Sequence, residues 1–200
     1  MGLSIRKLSS SDFLAITPAL VDVYLAAMRY PSRIRDNRIA AWHRDSAMPG
    51  FHAFCALRTP ENTPRHAPID PADLAAIAYG FHGCPDTWWH QQVHRGLLRS
   101  DRPVSVLDNY FEVTEVHVSP RHQGHGLGRT LLSRLLDQAT EPTALLSTPE
   151  VPAEANRAFR LYRSLGFRDV LRSFSFPGDS RPFAILGATL PLSAQRDRTG

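Results

Sequence analysis

The sequence predicts an α/β protein with a mixed, mostly antiparallel sheet of roughly seven strands, flanked by four or more helices. Two observations support this fold class. Short segments rich in β-branched and aromatic residues alternate along the chain with segments whose apolar residues recur at helical spacing. Residues 110–147 form the clearest unit, which is a strand, a helix and a second strand. Such a unit favours a ligand site at the carboxyl end of its first strand.

The N-terminal half is expected to contain three strands and three helices. A Ser-Ser-Asp sequence at 10–12 offers N-caps, and apolar residues then recur every three or four positions, so a helix begins here. Pro31 ends this helix, and Ser32 begins a second helix that continues to about residue 47. A third helix is expected at 86–98. The strands of this half are expected at 4–8, 51–57 and 74–81.

The C-terminal half is expected to contain four strands and two helices. The strand at 110–118 is rich in β-branched and aromatic residues. The helix at 126–139 carries a stripe of leucines that predicts a buried face, and a second helix is expected at 153–165. The remaining strands are expected at 144–147, 167–176 and 183–190.

Two segments do not fit this pattern of helices and strands. Residues 59–71 contain four prolines and few apolar residues, which predicts an exposed, flexible loop. Residues 193–200 are polar and are expected to fray as a C-terminal tail. A single domain is therefore expected over residues 1–192.

Composition and charge exclude several classes of protein. The chain is 42% apolar and 21% charged, which is ordinary for a globular domain. Its formal net charge is +4 without a run of basic residues, so we expect no nucleic-acid partner. Two cysteines, no signal-peptide pattern and no apolar run of about 18 residues predict a cytoplasmic protein without membrane contact.

The strongest motif is a glycine-rich segment that joins a strand to a helix. Gly124, Gly126 and Gly128 occupy alternate positions there. N–H groups at a helix start have no intrahelical partner, and the helix dipole favours an anion, so the segment suits a pyrophosphate. A dinucleotide-binding motif and a P-loop fit less well, because the third glycine comes one residue early and Arg129 replaces the expected lysine. The alternative is a glycine-rich turn that only connects the two elements.

This segment resembles motif A of the GNAT superfamily of acyl-CoA N-acyltransferases. The family pattern Gln/Arg-x-x-Gly-x-Gly/Ala is met by Gln123-Gly124-His125-Gly126-Leu127-Gly128. The preceding residues 116–120 look like the usual lead-in strand and turn. A second segment, 156–167, resembles motif B through its Asn, Ala, Tyr and Gly-Phe, and it follows at the spacing that the family uses.

The resemblance implies a GNAT-like sheet that is splayed at its middle, with acetyl-CoA bound in the gap as a co-substrate and without a metal. The backbone of the lead-in strand would pair with pantetheine, the N–H groups of the glycine segment would hold the pyrophosphate, and the motif B asparagine would fix the pantetheine or its own helix. The implied cofactor-binding residues are Val116, His117, Val118, Gln123, Gly124, His125, Gly126, Leu127, Gly128, Arg129 and Asn156.

Acyl transfer from a thioester to an amine requires a proton acceptor for the amine and a proton donor for the departing thiolate. Tyr162 matches the tyrosine of motif B and is the expected acid, since a phenol with a reference pKa of about 10 is protonated at neutral pH. The alternative is a packed tyrosine beside Phe159. Either Glu112 or Glu115 is the expected base. Side chains alternate along a strand, and Glu112 is preferred because it shares a face with Val116 and Val118; either carboxylate could instead be a solvated ion-pair partner.

Residues 82–109 form an insertion relative to the family, which often joins these two strands by a short turn. Trp88 and Trp89 lie in this insertion, so we expect one to be in the core and the other to line the acceptor site. His90 and His94 have a spacing that can bind metal, but Gln91 stands where a metalloprotease has Glu, and a structural role is expected.

The sequence therefore predicts an enzyme that transfers an acetyl or short acyl group directly from acyl-CoA to a primary amine in a ternary complex. The acceptor is expected to be a small molecule or a peptide. The sequence does not determine the oligomeric state, and a homodimer is one alternative. The alternative is a non-catalytic acyl-CoA-binding module of the same fold.

Overall fold

The structure is a computed structural model that describes residues 2–60, 64 and 67–192. Within these residues the seven strands are β1 (Gly2–Leu8), β2 (His52–Thr59), β3 (Leu74–His82), β4 (Phe111–Val118), β5 (Thr143–Pro149), β6 (Arg168–Ser175) and β7 (Pro182–Thr189). The five α-helices of the same residues are α1 (Ser10–Met28), α2 (Arg35–Asp45), α3 (Trp88–Arg99), α4 (Leu127–Leu136) and α5 (Arg157–Ser164).

The strands form one sheet in the order β1-β2-β3-β4-β5-β7-β6. β4 and β5 pair in parallel through Phe111–Ala144 and Glu112–Leu145. The β1–β2, β2–β3, β5–β7 and β6–β7 pairs are antiparallel. The predicted fold class is confirmed, because the sheet is mixed, mostly antiparallel and flanked by helices.

The chain divides into two compact units. Unit 1 comprises the described residues of 2–82 and 113–138, and unit 2 comprises 83–112 and 139–192. β4 belongs to unit 2 at Phe111 and Glu112 and to unit 1 from Val113 onward. The expectation of a single domain over residues 1–192 stays a prediction.

In unit 1, α1 and α2 pack together, and α1 also packs on β3. Ser9 begins α1 with a capping box, because its side chain accepts from Asp12 N–H while the Asp12 side chain accepts from the N-cap backbone. Phe13 on α1, Trp42 on α2 and Tyr79 on β3 are fully buried, with ring centroids 5.1–6.2 Å apart. Burial of each such ring contributes about 1.5–3 kcal/mol or more.

Two further features of unit 1 bear on the sequence predictions. α4 packs against β2 and β3, and its buried stripe is formed by the predicted leucines: Leu127, Leu131, Leu132, Leu135 and Leu136.

α1 is long and apolar enough to cross a membrane by length and composition alone. Its buried residues, from Phe13 to Tyr24, lie in the core of unit 1.

In unit 2, α3 packs on the face of the sheet formed by β5, β6 and β7. Val93 and Leu97 of α3 lie in one apolar cluster with Leu145, Leu171 and Ile185. Gly96 allows this close approach, since a Cβ at this position would come within 2.5 Å of the Phe174 ring. The insertion 82–109 therefore contains a packed helix.

The predicted helices differ from the structure chiefly at their first turns. The second helix begins at Arg35 after a short 3₁₀ turn at Ser32–Ile34. The last helix begins at Arg157, because Ala153 and Glu154 have φ of 52° and 53°, which no α-helix accommodates. The predicted tail 193–200 and part of the predicted loop 59–71 lie outside the described residues.

Candidate active site

The glycine segment follows β4 in unit 1 and leads into α4. Ser119 N–H donates to Ala75 O of β3 at 2.8 Å, which ties the end of β4 to the sheet. The side-chain amide of Gln123 donates to Val118 O at 3.1 Å, so Gln123 holds the turn closed. Gly124 and Gly126 have φ of 87° and 75°, values that favour glycine.

Open space surrounds Gly126, the N-cap of α4. A Cβ built there has no heavy atom within 4 Å. Because the N-cap is a glycine, it has no side chain that could accept from the first N–H groups of the helix. The Nδ1 atom of His125 lies 3.3 Å from His122 O, and Leu127 is buried in the core. The segment is therefore a bare helix start beside open space, as an anion site requires.

Tyr162 lies on α5 in unit 2. Asn156 is the N-cap of this helix, and its side-chain oxygen accepts from Phe159 N–H at 2.8 Å. The ring of Tyr162 packs against Phe167, with centroids 5.8 Å apart, and the residue is 8% exposed. The tyrosine is thus held at a defined place on a capped helix.

A network of ion pairs supports α5. Arg163 contacts Glu154 and Asp169, each at 2.5 Å, and Arg172 contacts Glu150 at 2.5 Å and Glu154 at 2.8 Å. The hydrogen bond from Arg163 lowers the pKa of Glu154 below its usual value. Glu154, which has left-handed backbone, thus pairs with both arginines.

Glu112, the preferred base, is 5% exposed and lies where β4 pairs with β5. Tyr110, which directly precedes β4, is also buried. Burial, followed by the charges of Glu112 and Cys84, raises the pKa of Tyr110. Glu112 is therefore a buried acidic side chain whose charge acts on Tyr110.

Glu115, the second carboxylate, lies in unit 1 within a polar cluster. Nε2 of His117 and Oε2 of Glu115 are 2.5 Å apart, and Arg38 of α2 approaches Oε1 of the same carboxylate at 4.0 Å. The ring of Tyr24 on α1 lies edge-on to His117 at 4.9 Å and beneath the Arg38 guanidinium at 5.2 Å. We call these four residues the β4 cluster. The sequence predicted His117 as a cofactor-binding residue, and it did not indicate the contacts with Tyr24 and Arg38.

A second buried pair lies beside the β4 cluster. The hydroxyl of Tyr79 donates to Asp45 at 2.8 Å. Burial raises the pKa of Asp45 and, together with the charges of Glu115 and Asp45, raises the pKa of Tyr79 well above its usual value. Tyr79 therefore stays protonated and donates this hydrogen bond.

The two tryptophans of the insertion have different environments in unit 2. Trp88 is 54% exposed and stacks on Phe176 at 5.4 Å. Trp89 is partly buried, and its indole N–H donates to Ser147 Oγ at 3.2 Å. An acceptor role for either stays a prediction.

His90 and His94 lie on α3, and the chain has two cysteines, Cys55 and Cys84. Nδ1 of His90 lies 3.1 Å from the Tyr110 hydroxyl, and the His94 ring stacks on His90 at 6.3 Å. Burial raises the pKa of Cys55 to about 12, so its thiol is not a nucleophile at neutral pH. Cys84 is half-buried and has a free thiol.

Comparison with known proteins identifies the family of this chain. Residues 91–169 match the family model of the acetyltransferase (GNAT) domain. The GCN5-like protein acetyltransferase Rv2170 of Mycobacterium tuberculosis is 41% identical over 206 residues, which span 96% of this chain and 100% of that protein. The chain belongs to the GNAT family of acetyltransferases. It is therefore an N-acetyltransferase, and the reading as a non-catalytic module is not favoured.

A second relative agrees with this family, and a solved structure agrees with the fold. The ribosomal protein bS18 alanine N-acetyltransferase of Escherichia coli is 38% identical over 52% of this GNAT chain and 70% of that enzyme. The structure of yncA from Salmonella typhimurium with its cofactor acetyl-CoA superposes with a TM-score of 0.57, at 21% identity over 99% of both chains. At that identity the likeness shows the fold.

Proposed function

We propose that this GNAT enzyme transfers an acetyl group from acetyl-CoA to a primary amine on a protein or peptide. The observation that carries the proposal is the full-length similarity to a protein acetyltransferase, at 41% identity. The E. coli relative is named for an alanine of ribosomal protein bS18, so its named acceptor is also a protein. A small-molecule amine is the second candidate, because a Salmonella typhimurium relative named for L-methionine sulfoximine is 44% identical over 52 residues.

The glycine segment is proposed to hold the CoA pyrophosphate. Its support is the bare start of α4 and the open space at Gly126, which a phosphate oxygen can enter without displacing a side chain. The N–H groups from Gly124 to Arg129 would bind the phosphates, the backbone of Val116 and Val118 would bind the pantetheine amides, and Asn156 would hold α5.

Tyr162 is proposed as the general acid, and a group on β4 is proposed as the base. The amine nitrogen attacks the thioester carbonyl carbon, the C–N bond forms and the C–S bond breaks. An ammonium acceptor loses two protons in the reaction. One goes to the base and then to water, and the second replaces the proton that Tyr162 gives to the sulfur. Acetyl transfer is thus direct, without an enzyme nucleophile.

Two peptides of matched length test the proposed acceptor. One has a blocked N-terminus and a single lysine, and the other has a free N-terminal alanine and no lysine. Incubation with acetyl-CoA is expected to release CoA and acetylate at least one peptide, as measured by thiol release and mass spectrometry. Acetylation of L-methionine sulfoximine alone would instead favour the small-molecule acceptor. Binding of CoA without turnover of any amine would overturn the proposal in favour of a non-catalytic module.

A cytoplasmic location and a homodimer are also proposed. Two free cysteines, one of them buried, suit a reducing compartment. Sedimentation at several protein concentrations tests the dimer, and a single monomeric species throughout would contradict it.

A further inference from the structure

The β4 cluster contains a histidine whose two ring nitrogens have different surroundings. Nε2 of His117 is 2.5 Å from the carboxylate of Glu115. Nδ1 has no hydrogen-bond partner among the described residues, and it is not one of their fully buried unpaired atoms. Nε2 therefore contacts the carboxylate, while Nδ1 is accessible to solvent.

This arrangement fixes the tautomer of the neutral imidazole. An ionised carboxylate only accepts hydrogen bonds, so Nε2 must carry the proton that it donates to Glu115. Nδ1 then has the lone pair and is the basic nitrogen of the ring. A carboxylate that orients an imidazole in this way also stabilises the imidazolium that forms when the ring takes a second proton.

We propose that His117 is the base of the acetyl transfer and accepts a proton from the acceptor amine at Nδ1, with Glu115 as its positioning residue. This inference rests on the proposed function. It assigns to the His117 side chain a role that neither the motif nor the comparisons suggest, since motif A accounts only for the backbone at this position.

The surroundings of His117 suit this role. Glu115 on β4 faces Nε2, Tyr24 on α1 packs edge-on against the ring, and Arg38 on α2 approaches the far oxygen of Glu115. Asp45 on α2 and Tyr79 on β3 lie close enough for their charges to interact with Glu115 and Arg38. One oxygen of the Glu115 carboxylate thus contacts His117, and the other lies near Arg38. Nδ1 of His117 is then the accessible proton acceptor of the β4 cluster.

The proton balance is complete with the groups named. Nδ1 takes one proton from the ammonium form of the acceptor, which frees the nitrogen lone pair for attack on the thioester carbonyl. As the C–S bond breaks, Tyr162 protonates the sulfur, and the second proton that the amine nitrogen loses restores the Tyr162 hydroxyl. The imidazolium returns the first proton to water after product release. No oxidant, metal or additional reactant is required.

The tautomer can be measured without any acceptor. Long-range ¹H–¹⁵N correlation spectra of the full-length protein would be recorded at a pH where the ring is neutral, with His117 assigned by the peak that His117→Gln lacks. A protonated Nε2 and an unprotonated Nδ1 are expected. Glu115→Gln should shift the ring toward a mixture, because an amide can either donate or accept. A protonated Nδ1 in the wild-type protein would overturn the proposal.

Kinetics test the catalytic role. His117→Gln keeps a side-chain N–H that can reach Glu115, but it has no basic nitrogen. The kcat for the peptide that the enzyme acetylates is therefore expected to fall about 10²–10⁴-fold at neutral pH. The loss should shrink at high pH, where free amine is abundant, and the KM for acetyl-CoA should not change. His43→Gln is the matched control, since His43 is an exposed histidine of α2.

Three outcomes separate this inference from the proposed function. Absence of turnover with every amine overturns both. Turnover that His117→Gln and His43→Gln retain equally overturns the inference alone. A strong loss in Glu112→Gln with none in His117→Gln also overturns it and makes Glu112 the base.

Discussion

At the scale of single residues, the hydroxyl of Tyr162 is the group whose removal is most informative. Phenylalanine keeps the ring that packs 5.8 Å from Phe167, so Tyr162→Phe should fold normally. If the hydroxyl protonates the leaving thiolate, kcat should fall by about 10²–10⁴-fold while CoA affinity, measured by calorimetry, is retained. Full activity at saturating substrates would mean that another group or water is the acid.

The sequence predicted some residues of the site and could not predict others. The glycine segment was readable, because alternate glycines between a strand and a helix have a local physical cause. The β4 cluster was not readable, since Tyr24 and Arg38 come from helices far from Glu115 in the chain, and no periodicity encodes such a contact. The alternation rule did place Glu115 and His117 on one face, but the sequence could not show that they pair.

At the scale of elements, the start of α4 can be tested by filling its open space. Gly126→Val should abolish CoA binding, because a side chain would occupy the space proposed for the pyrophosphate. Valine at φ of 75° is also strained, so a control must share the strain. Gly178→Val is the matched control, because Gly178 has a φ of 86° and a Cβ built there has no heavy atom within 4 Å. Gly178 lies outside the glycine segment, in the turn between β6 and β7. Equal CoA affinity in both variants, measured by calorimetry, would contradict the phosphate-site proposal.

The N-cap of α5 is a second test at this scale. Asn156→Ala removes the acceptor for Phe159 N–H and should lower the free energy of unfolding by about 1 kcal/mol, as measured by urea denaturation. Asn156→Ser retains a neutral side-chain acceptor at the N-cap and should keep most of this stability. A loss of CoA affinity in Asn156→Ser at unchanged stability would show that the amide also contacts the pantetheine. Unchanged stability in Asn156→Ala would show that the cap contributes nothing.

Element boundaries show where local signals are insufficient. The leucine stripe of α4 was predicted correctly, because its period is set by the sequence alone. The start of α5 was not, since Pro152 and the residues after it resemble a helix start but form a 3₁₀ turn with left-handed backbone. Ion pairs from Arg163 and Arg172, which lie later in the sequence, accompany that conformation. Contacts with residues this far along the chain are not visible in the local sequence around the boundary.

At the scale of the whole molecule, the order of elements decided the fold class, and the two motifs decided the family. Seven segments of strand character were recognised, and each corresponds to a strand in the structure. Their order in the sheet, with β7 between β5 and β6, does not follow from any segment alone. It is a property of the fold as a whole, which the resemblance to the family supplied in general form.

The ligand that stabilises the whole protein tests the assignment most directly. A ligand that binds only the folded state at about 100 times its Kd stabilises by about 2.7 kcal/mol, which for a chain of this size corresponds to a rise in Tm of about 5–10 °C. Acetyl-CoA and CoA are expected to produce such a rise, because the bare start of α4 suits a pyrophosphate. NAD and ATP also carry phosphates but lack pantetheine, so they should produce a smaller rise. Gly126→Val should lose the response to CoA and Gly178→Val should keep it, whereas an equal response to all four ligands would indicate an unspecific anion site.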